Sequence, residues 1–362
     1  MNVQVMGYEK IMNMLNEWYG EIRKRNIEKA QHLKSTVDEE IKTIGDASNV
    51  LASYYLLEFR HQYMIDSLSI GKDSFNKIES FNVLENDSLT YYYYFFKAMH
   101  LTITGEYGQA KEYYEKAEKK LEEIPDQLEH AEFYFKLSTF NCHKQQYVLA
   151  LKQASKAKEI FSKHRGYELN IGYCNNVSGL VCIHLKEYEL AEEYLISAMD
   201  VFQKNQEQQA VLYARHNLGF MYANQNLSEL AIRYLSEVSE GIPNNYKAIL
   251  IEACEHEKIG EKEIALNLLE KGLSISNELK IEEYQHHFKI LKAINEEVPG
   301  QELEVLVLEG NEYFEKEKLY EYIHEYTEKL AIKFYHEDND SKASKYFYLS
   351  SQARKKNEGK EV

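Results

Sequence analysis

Apolar residues recur along this chain with the period of an amphipathic helix. Over residues 5–25 they fall at Ile11, Leu15, Trp18 and Ile22. Over 27–44 they fall at Ile27, Ala30, Leu33, Val37 and Ile41, and over 48–67 at Leu51, Tyr55, Phe59 and Tyr63. Three such helices with short connections predict a small antiparallel bundle. The stretch 70–89, IGKDSFNKIESFNVLENDSL, breaks the pattern and reads as a linker.

Beyond it a longer register sets in, with copies starting at Tyr91, Ala131, Gly172 and Leu212, spaced 40, 41 and 40 residues apart. Position 8 of each is small (Ala98, Ser138, Gly179, Gly219) and position 20 is alanine (Ala110, Ala150, Ala191, Ala231). Position 17 is tyrosine in the first three copies (Tyr107, Tyr147, Tyr188). Position 24 holds Tyr114, Ala154, Leu195 and Leu235, and position 27 holds Ala117, Ala157, Ala198 and Val238. A fifth copy from Tyr246 keeps Ala253, Ala265, Leu269 and Gly272, and two further helix pairs fit over 283–314 and 317–356. The small positions let two antiparallel helices approach closely, while the large ones fill the space between neighbouring pairs. This is the pattern of tetratricopeptide-type repeats, whose standard period is about 34 residues; the longer spacing calls for longer helices or loops. The expected architecture is therefore all-α. A three-helix bundle (1–69) and a linker (70–89) precede a right-handed superhelix of about seven helix pairs (90–362), with the first helix of each pair lining the concave face.

Composition agrees. The 362 residues include only 3 Pro and 16 Gly, too few for the turns of a parallel α/β enzyme of this size. Pro125, Pro243 and Pro299 all fall between expected helices, where a missing N–H costs little. The net charge of −16 opposes general binding to nucleic acid or an anionic membrane. Cys142, Cys174, Cys182 and Cys254 form no CxxC pair and match no zinc spacing, so they read as reduced, mostly buried thiols of a cytoplasmic protein. No basic segment followed by an apolar run opens the chain, and no stretch reaches membrane-span length.

Motifs for chemistry are sparse. There is no phosphate-binding glycine loop, no dinucleotide fingerprint and no HExxH. His286 and His287 are adjacent, hence about 100° apart on a helix, and read as surface histidines that cannot chelate together. His61 and His100 stand alone and read as packed or solvated. No cofactor and no metal site is expected in this chain.

Four segments stand out beside the order of bundle, linker and about seven long helix pairs: Asn16-Glu17-Trp18-Tyr19, Phe59-Arg60-His61-Gln62, the run Tyr91 to Phe96 with Tyr107 and Ala110 after it, and Ala131-Glu132-Phe133. In that order and with those segments the chain resembles the Rap family of Bacillus response-regulator phosphatases and antagonists. The resemblance implies an intracellular regulator whose bundle binds a response regulator: a receiver of the sporulation phosphorelay, or a competence-type transcription factor. It also implies a re-imported quorum-sensing peptide that binds the concave repeat face, compacts the superhelix and releases the partner. Some members accelerate loss of the receiver's aspartyl phosphate, with the receiver holding the Mg²⁺. They use a bundle glutamine that can orient water, as glutamine does in small GTPases.

In this chain an ungapped count between the first two segments puts that position on Ser48, with Asn49 next to it. Neither is glutamine, so the phosphatase activity suggested by the family is left open. Ser48 or Asp46 also reads as the N-cap of the third bundle helix. On the concave face, the inward positions of the third repeat are Tyr173, Asn176, Leu180 and His184. Those of the fourth are Tyr213, His216, Phe220 and Asn224, with Asn217 beside them. An asparagine amide can pair with both N–H and C=O of an extended peptide, as the family's asparagines do. Asn217 is thus the first candidate for gripping a peptide and Asn176 the second; hydrogen bonding within or between helices is their ordinary alternative. Two other classes fit less of the sequence. A non-catalytic scaffold would have no use for Trp18 and Arg60 in these contexts, and a peptide-responsive transcription factor would need a helix-turn-helix that the first 70 residues lack.

Overall fold

The computed structural model describes residues 2–43, 47–81 and 87–357. Among these there is no strand. Three helices come first: α1 (Asn2–Arg23), α2 (Ile27–Glu40) and α3 (Ser48–Ile65). Asn26 caps α2 by accepting from the Lys29 N–H at 3.3 Å. The stretch 70–81 is packed. Short turns at Ser67–Ser69 and Lys72–Phe75 lead into α4 (Asn76–Glu79), and Ile70, Phe75 and Ile78 are buried while the polar residues between them face out. Residues 82–86 of the expected linker lie outside the described residues.

Seven helix pairs follow: α5 (Asp87–Ile103) with α6 (Tyr107–Leu121), α7 (Gln127–His143) with α8 (Tyr147–Phe161), α9 (Glu168–His184) with α10 (Tyr188–Lys204), and α11 (Gln208–Asn224) with α12 (Ser228–Gly241). The last three are α13 (Tyr246–Lys258) with α14 (Lys262–Glu278), α15 (Glu282–Asn295) with α16 (Gly300–Lys316), and α17 (Tyr320–His336) with α18 (Asp340–Asn357). Every pair is joined the same way. A residue with left-handed backbone ends the first helix: Gly105, Gln145, Lys186, Asn226, Gly260, Glu297 and Asp338 in turn. The next N–H then reaches back five residues, as Glu187 N does to Cys182 O at 2.9 Å and Glu261 N to His256 O at 2.9 Å. Only two of the seven are glycine, which is how so many turns fit a glycine-poor chain.

The repeat positions behave as their sizes require. Ala110, Ala150, Ala191, Ala231 and Ala265 are fully buried, and so are Ala117, Ala157, Ala198 and Val238. Each removes apolar surface from water at a helix crossing too close for a larger side chain.

The chain falls into two compact units, Met1–Ala214 and Arg215–Val362. In the first, the bundle and the opening repeats share one core: Trp18, Phe59, Phe75, Phe95, Phe96 and Phe133 belong to a single cluster. Tyr19 meets Tyr92 edge-on at 5.7 Å, and Phe59 meets Phe75 edge-on at 5.1 Å. In the second, Phe288, Phe314, Phe334 and Tyr346 anchor a separate core. No helix among the described residues is long and apolar enough to cross a membrane.

Candidate functional site

The first unit buries charge where the bundle meets the repeats. Helix α7 is buried over most of its length, yet carries Glu129, Glu132 and Lys136 along one stripe, all buried. Spacings of three and four residues put them on one face. Arg60 of α3 pairs with Glu132, and both side chains are sequestered from solvent. Burial raises the Glu132 carboxyl, but Arg60, then Lys136 and Arg25, outweigh it and hold the group below the usual carboxylate range.

Glu129 sits in a second knot. Its two oxygens accept from the Tyr19 hydroxyl at 2.9 and 2.8 Å, and Oε1 also accepts from Tyr91 at 3.0 Å. Arg23 lies 3.3 Å from its Oε2 and 2.6 Å from Asp126 Oδ2. Desolvation dominates and pushes Glu129 up to about 7, against the pull of Arg23, Tyr19 and Tyr91. Burial and the Glu129 carboxylate push the Tyr19 hydroxyl well above its ordinary range. Asn170 of α9 adds a third tie by donating to the Arg23 carbonyl at 3.0 Å.

Within the bundle, the Trp18 indole N–H donates to His61 Nδ1 at 3.2 Å. Burial, then Lys34, pulls His61 down to about 4, so the ring is neutral and free to accept. The segments that signalled the resemblance thus converge. Trp18 and His61 join α1 to α3, while Tyr19 and Arg60 fasten both helices to α7. Sequence reading singled out Tyr19, Arg60 and Glu132 without a role and passed over Glu129, Lys136 and Arg25. The signal available was the charged stripe at 129, 132 and 136 among the aromatic residues Phe133, Phe135 and Phe140 of one helix.

Two sequence expectations are corrected here. Ser48 is not the N-cap of α3: Ala47 occupies that position, no side chain caps it, and Ser48 already lies in the first turn. Asp46 lies outside the described residues. Ser48 and Asn49 are both exposed. His287 is not a surface residue. Adjacent helical residues diverge, and here one of the two faces inward: His287 is buried, with Nδ1 2.6 Å from the Tyr326 hydroxyl and its ring stacked on Phe314 at 5.0 Å. His286 remains half-buried beside Tyr313.

The expected peptide residues fall in both units. In the first, Tyr173 is half-buried beneath Arg25, Asn176 lies one turn further on, and the exposed Tyr213 accepts from Gln209 at 2.9 Å. In the second, Asn217 is the most buried of the set. His216 beside it is pulled down to about 4 by burial, then Lys247. Phe220 and Asn224 come together on the wall of a cavity of about 220 Å³, with Leu250, Cys254, His287 and Tyr322. The Asn224 amide donates to the Phe220 carbonyl at 2.7 Å. The four cysteines are free, and burial raises each thiol, Cys142 and Cys182 to about 11, so none is poised as a thiolate. Among the described residues no cluster of His, Cys, Asp and Glu could hold a metal ion.

These features define a helical-repeat protein whose N-terminal bundle is fastened to its first repeats by buried charge. The family domain described as response regulator aspartate phosphatase H, N terminal, matches residues 5–66. Response regulator aspartate phosphatase I of Bacillus subtilis (strain 168) is 26% identical over 361 residues, covering 96% of this chain and 92% of that one. Regulatory protein RapC of the same organism is 33% identical over 236 residues, 60% of each chain. The crystal structure of a Rap protein complexed with competence and sporulation factor matches with a TM-score of 0.80 over 98% of this chain and 100% of that one; at 22% identity this likeness speaks for the fold. The chain is thus similar to Rap proteins along nearly its whole length, and its N-terminal bundle matches the family domain.

Proposed function

We propose that this chain is a peptide-controlled regulator of a response regulator. The bundle engages the partner, and the inner face of the repeats takes a short signalling peptide. The observation that carries this reading is the convergence of Trp18, Tyr19, Arg60 and Glu132, the residues of the family likeness, on one buried junction. A junction of discrete ion pairs is either made or broken. Whatever binds the repeats can therefore act on whatever binds the bundle. Competition between peptide and partner needs such a link.

The action on the partner is binding rather than hydrolysis. At the position where phosphatase members present glutamine stands Ser48, exposed in the first turn of α3 and without an amide; Asn49 carries a shorter one. Any Mg²⁺ belongs to the receiver. The test mixes the purified chain with the phosphorylated receiver of the sporulation phosphorelay, and separately with a competence-type transcription factor. One of the two is expected to form a stoichiometric complex in gel filtration, and the receiver's phosphate is expected to decay at its unassisted rate. Accelerated phosphate loss would contradict the binding-only action, and failure to bind either protein would favour a plain scaffold.

A further inference from the structure

Three cations line the bundle–repeat junction around Phe135 and Glu132, but only Arg60 is paired. Lys136 is buried, its ammonium 4.3 Å from the Tyr63 ring and 5.0 Å from Phe135, with no hydrogen-bonding partner among the described residues. Arg25, at the corner between α1 and α2, has left-handed backbone with φ 61. Its guanidinium lies 4.0 Å over the Tyr173 ring and 5.4 Å from Phe135. Its Nε is enclosed and unbonded, and no carboxylate or carbonyl among the described residues meets the rest of the group.

Arg25 also forms part of the wall of a cavity of about 600 Å³, between this corner and the segments leading into α9 and α11. Of the acids on that wall, Glu21 is held by Lys24 and Asn26, and Glu168 accepts from the Gly166 N–H. Glu28 and Glu207 have no cationic partner among the described residues. A guanidinium held against an aromatic ring makes no hydrogen bond to it, so its N–H groups remain available in the fork that fits a carboxylate. Arg25 is only half-buried, so a carboxylate entering the cavity can reach its N–H groups without displacing an internal hydrogen-bonding partner.

We infer that Arg25, backed by Tyr173, is a carboxylate-binding site that takes the C-terminus or an acidic side chain of a short peptide. This rests on the peptide reading given under Proposed function and deepens it. Glu28 and Glu207 repel a multiply charged free anion, whereas a peptide carries its own ammonium to offset them. Because Arg25 belongs to the bundle corner and Tyr173 to the third repeat, a peptide held here touches both sides of the junction directly.

The test has two arms on the full chain. In the first, arginine side-chain ¹H–¹⁵Nε NMR follows the Arg25 signal, assigned with Arg25→Lys, during titration with sodium acetate and with inorganic phosphate. A saturable shift with acetate, larger than with phosphate, is expected. No response to acetate overturns the inference, and a stronger response to phosphate assigns the site to a free anion and overturns the peptide source. In the second arm, pools of synthetic random pentapeptides with free or amidated C-termini are captured and counted by mass spectrometry. Free termini are expected to be retained about tenfold better. Arg25→Gln is expected to erase that difference, and Arg25→Lys to reduce it by a smaller factor, with Trp18 fluorescence and circular dichroism checking the fold. Equal retention of both pools by the wild-type chain contradicts the carboxylate site while leaving the peptide reading intact. Retention of neither pool, with Arg25 still answering acetate, contradicts the peptide reading and leaves an anion site.

Discussion

Between α9 and α10, Gly179 faces Leu195 so closely that an added Cβ would stand 2.5 Å from the leucine Cγ. Between α3 and α7, Arg60 faces Glu132 with both charges sealed from water. The repeat interior joins helices by shape, and the bundle–repeat junction joins them by charge. Shape complementarity is cumulative and tolerant of distance along the chain, because each pair repeats the same small and large positions. Buried ion pairs contribute little net stability compared with apolar isosteres, yet losing one partner is expensive. A helix pair is thus built to persist, and the junction is built to hold only with its partners in register.

Removing one partner should show this most strongly. Glu132→Ala leaves Arg60 and Lys136 together without a carboxylate, and a loss of about 3–5 kcal/mol is expected in denaturant unfolding. The Arg60→Met, Glu132→Met pair should cost far less, since both charges go together. The matching test in the repeat interior is Gly179→Ala. Its new methyl would meet Leu195 and also the Ala191 carbonyl at 3.2 Å, which cannot rotate away. Roughly 1–3 kcal/mol is expected from thermal unfolding. At Gly219 the three nearest atoms all belong to the Leu235 side chain and none to the backbone, so Gly219→Ala should cost less. If Gly179→Ala proves harmless while Glu132→Ala is severe, the pairs are looser than their packing implies.

The two regions should also differ in pH response. Glu129 titrates at about 7 in the folded protein, above its unfolded value. Between the unfolded carboxyl pKa and 7 the native state keeps a proton that the unfolded chain has lost. Its contribution to stability is therefore complete at low pH and falls as pH rises toward 7, by at most about 1.4 kcal/mol per unit. His61 and His216, both lowered to about 4, act in the opposite sense, because the unfolded chain binds protons to them first as pH falls below their ordinary value. The Glu129 part is read as the difference between wild type and Glu129→Gln across that range. An identical pH slope in both would remove Glu129 from the junction's titration. The smallest effect expected is from Lys186→Gly at the left-handed turn of the third pair, where φ is 62. Relief of strain and lost backbone freedom nearly cancel, leaving a gain of a few tenths of a kcal/mol.

How much of this was legible in the sequence follows the same division. The repeat positions were readable because their logic is local: Ala191 and Leu195 lie a turn apart on one helix, and the offset recurs every 40 residues or so. The bundle helices were placed to within a few residues by their apolar period. The junction was not readable, since Arg60 and Glu132 are 72 residues apart and Tyr19 and Glu129 are 110 apart, and no periodicity links them. Only the family likeness pointed at Tyr19, Arg60 and Glu132, and it did so without saying what they touch. The packed turns over 70–81 were missed because their three anchors, Ile70, Phe75 and Ile78, follow no helical period. The inward turn of His287 was missed because adjacency fixes the angle between two side chains, not which of them faces in.

The most direct measurement is a double-mutant cycle on Arg60 and Glu132, using Met at both positions, with unfolding followed by the fluorescence of Trp18, the chain's single tryptophan, which sits fully buried in the bundle. A junction held by charge predicts a coupling energy of about 2 kcal/mol or more, with each single variant loosening the bundle further than the pair does. Coupling near zero, with additive single effects, would contradict it and leave the bundle held by its apolar contacts alone.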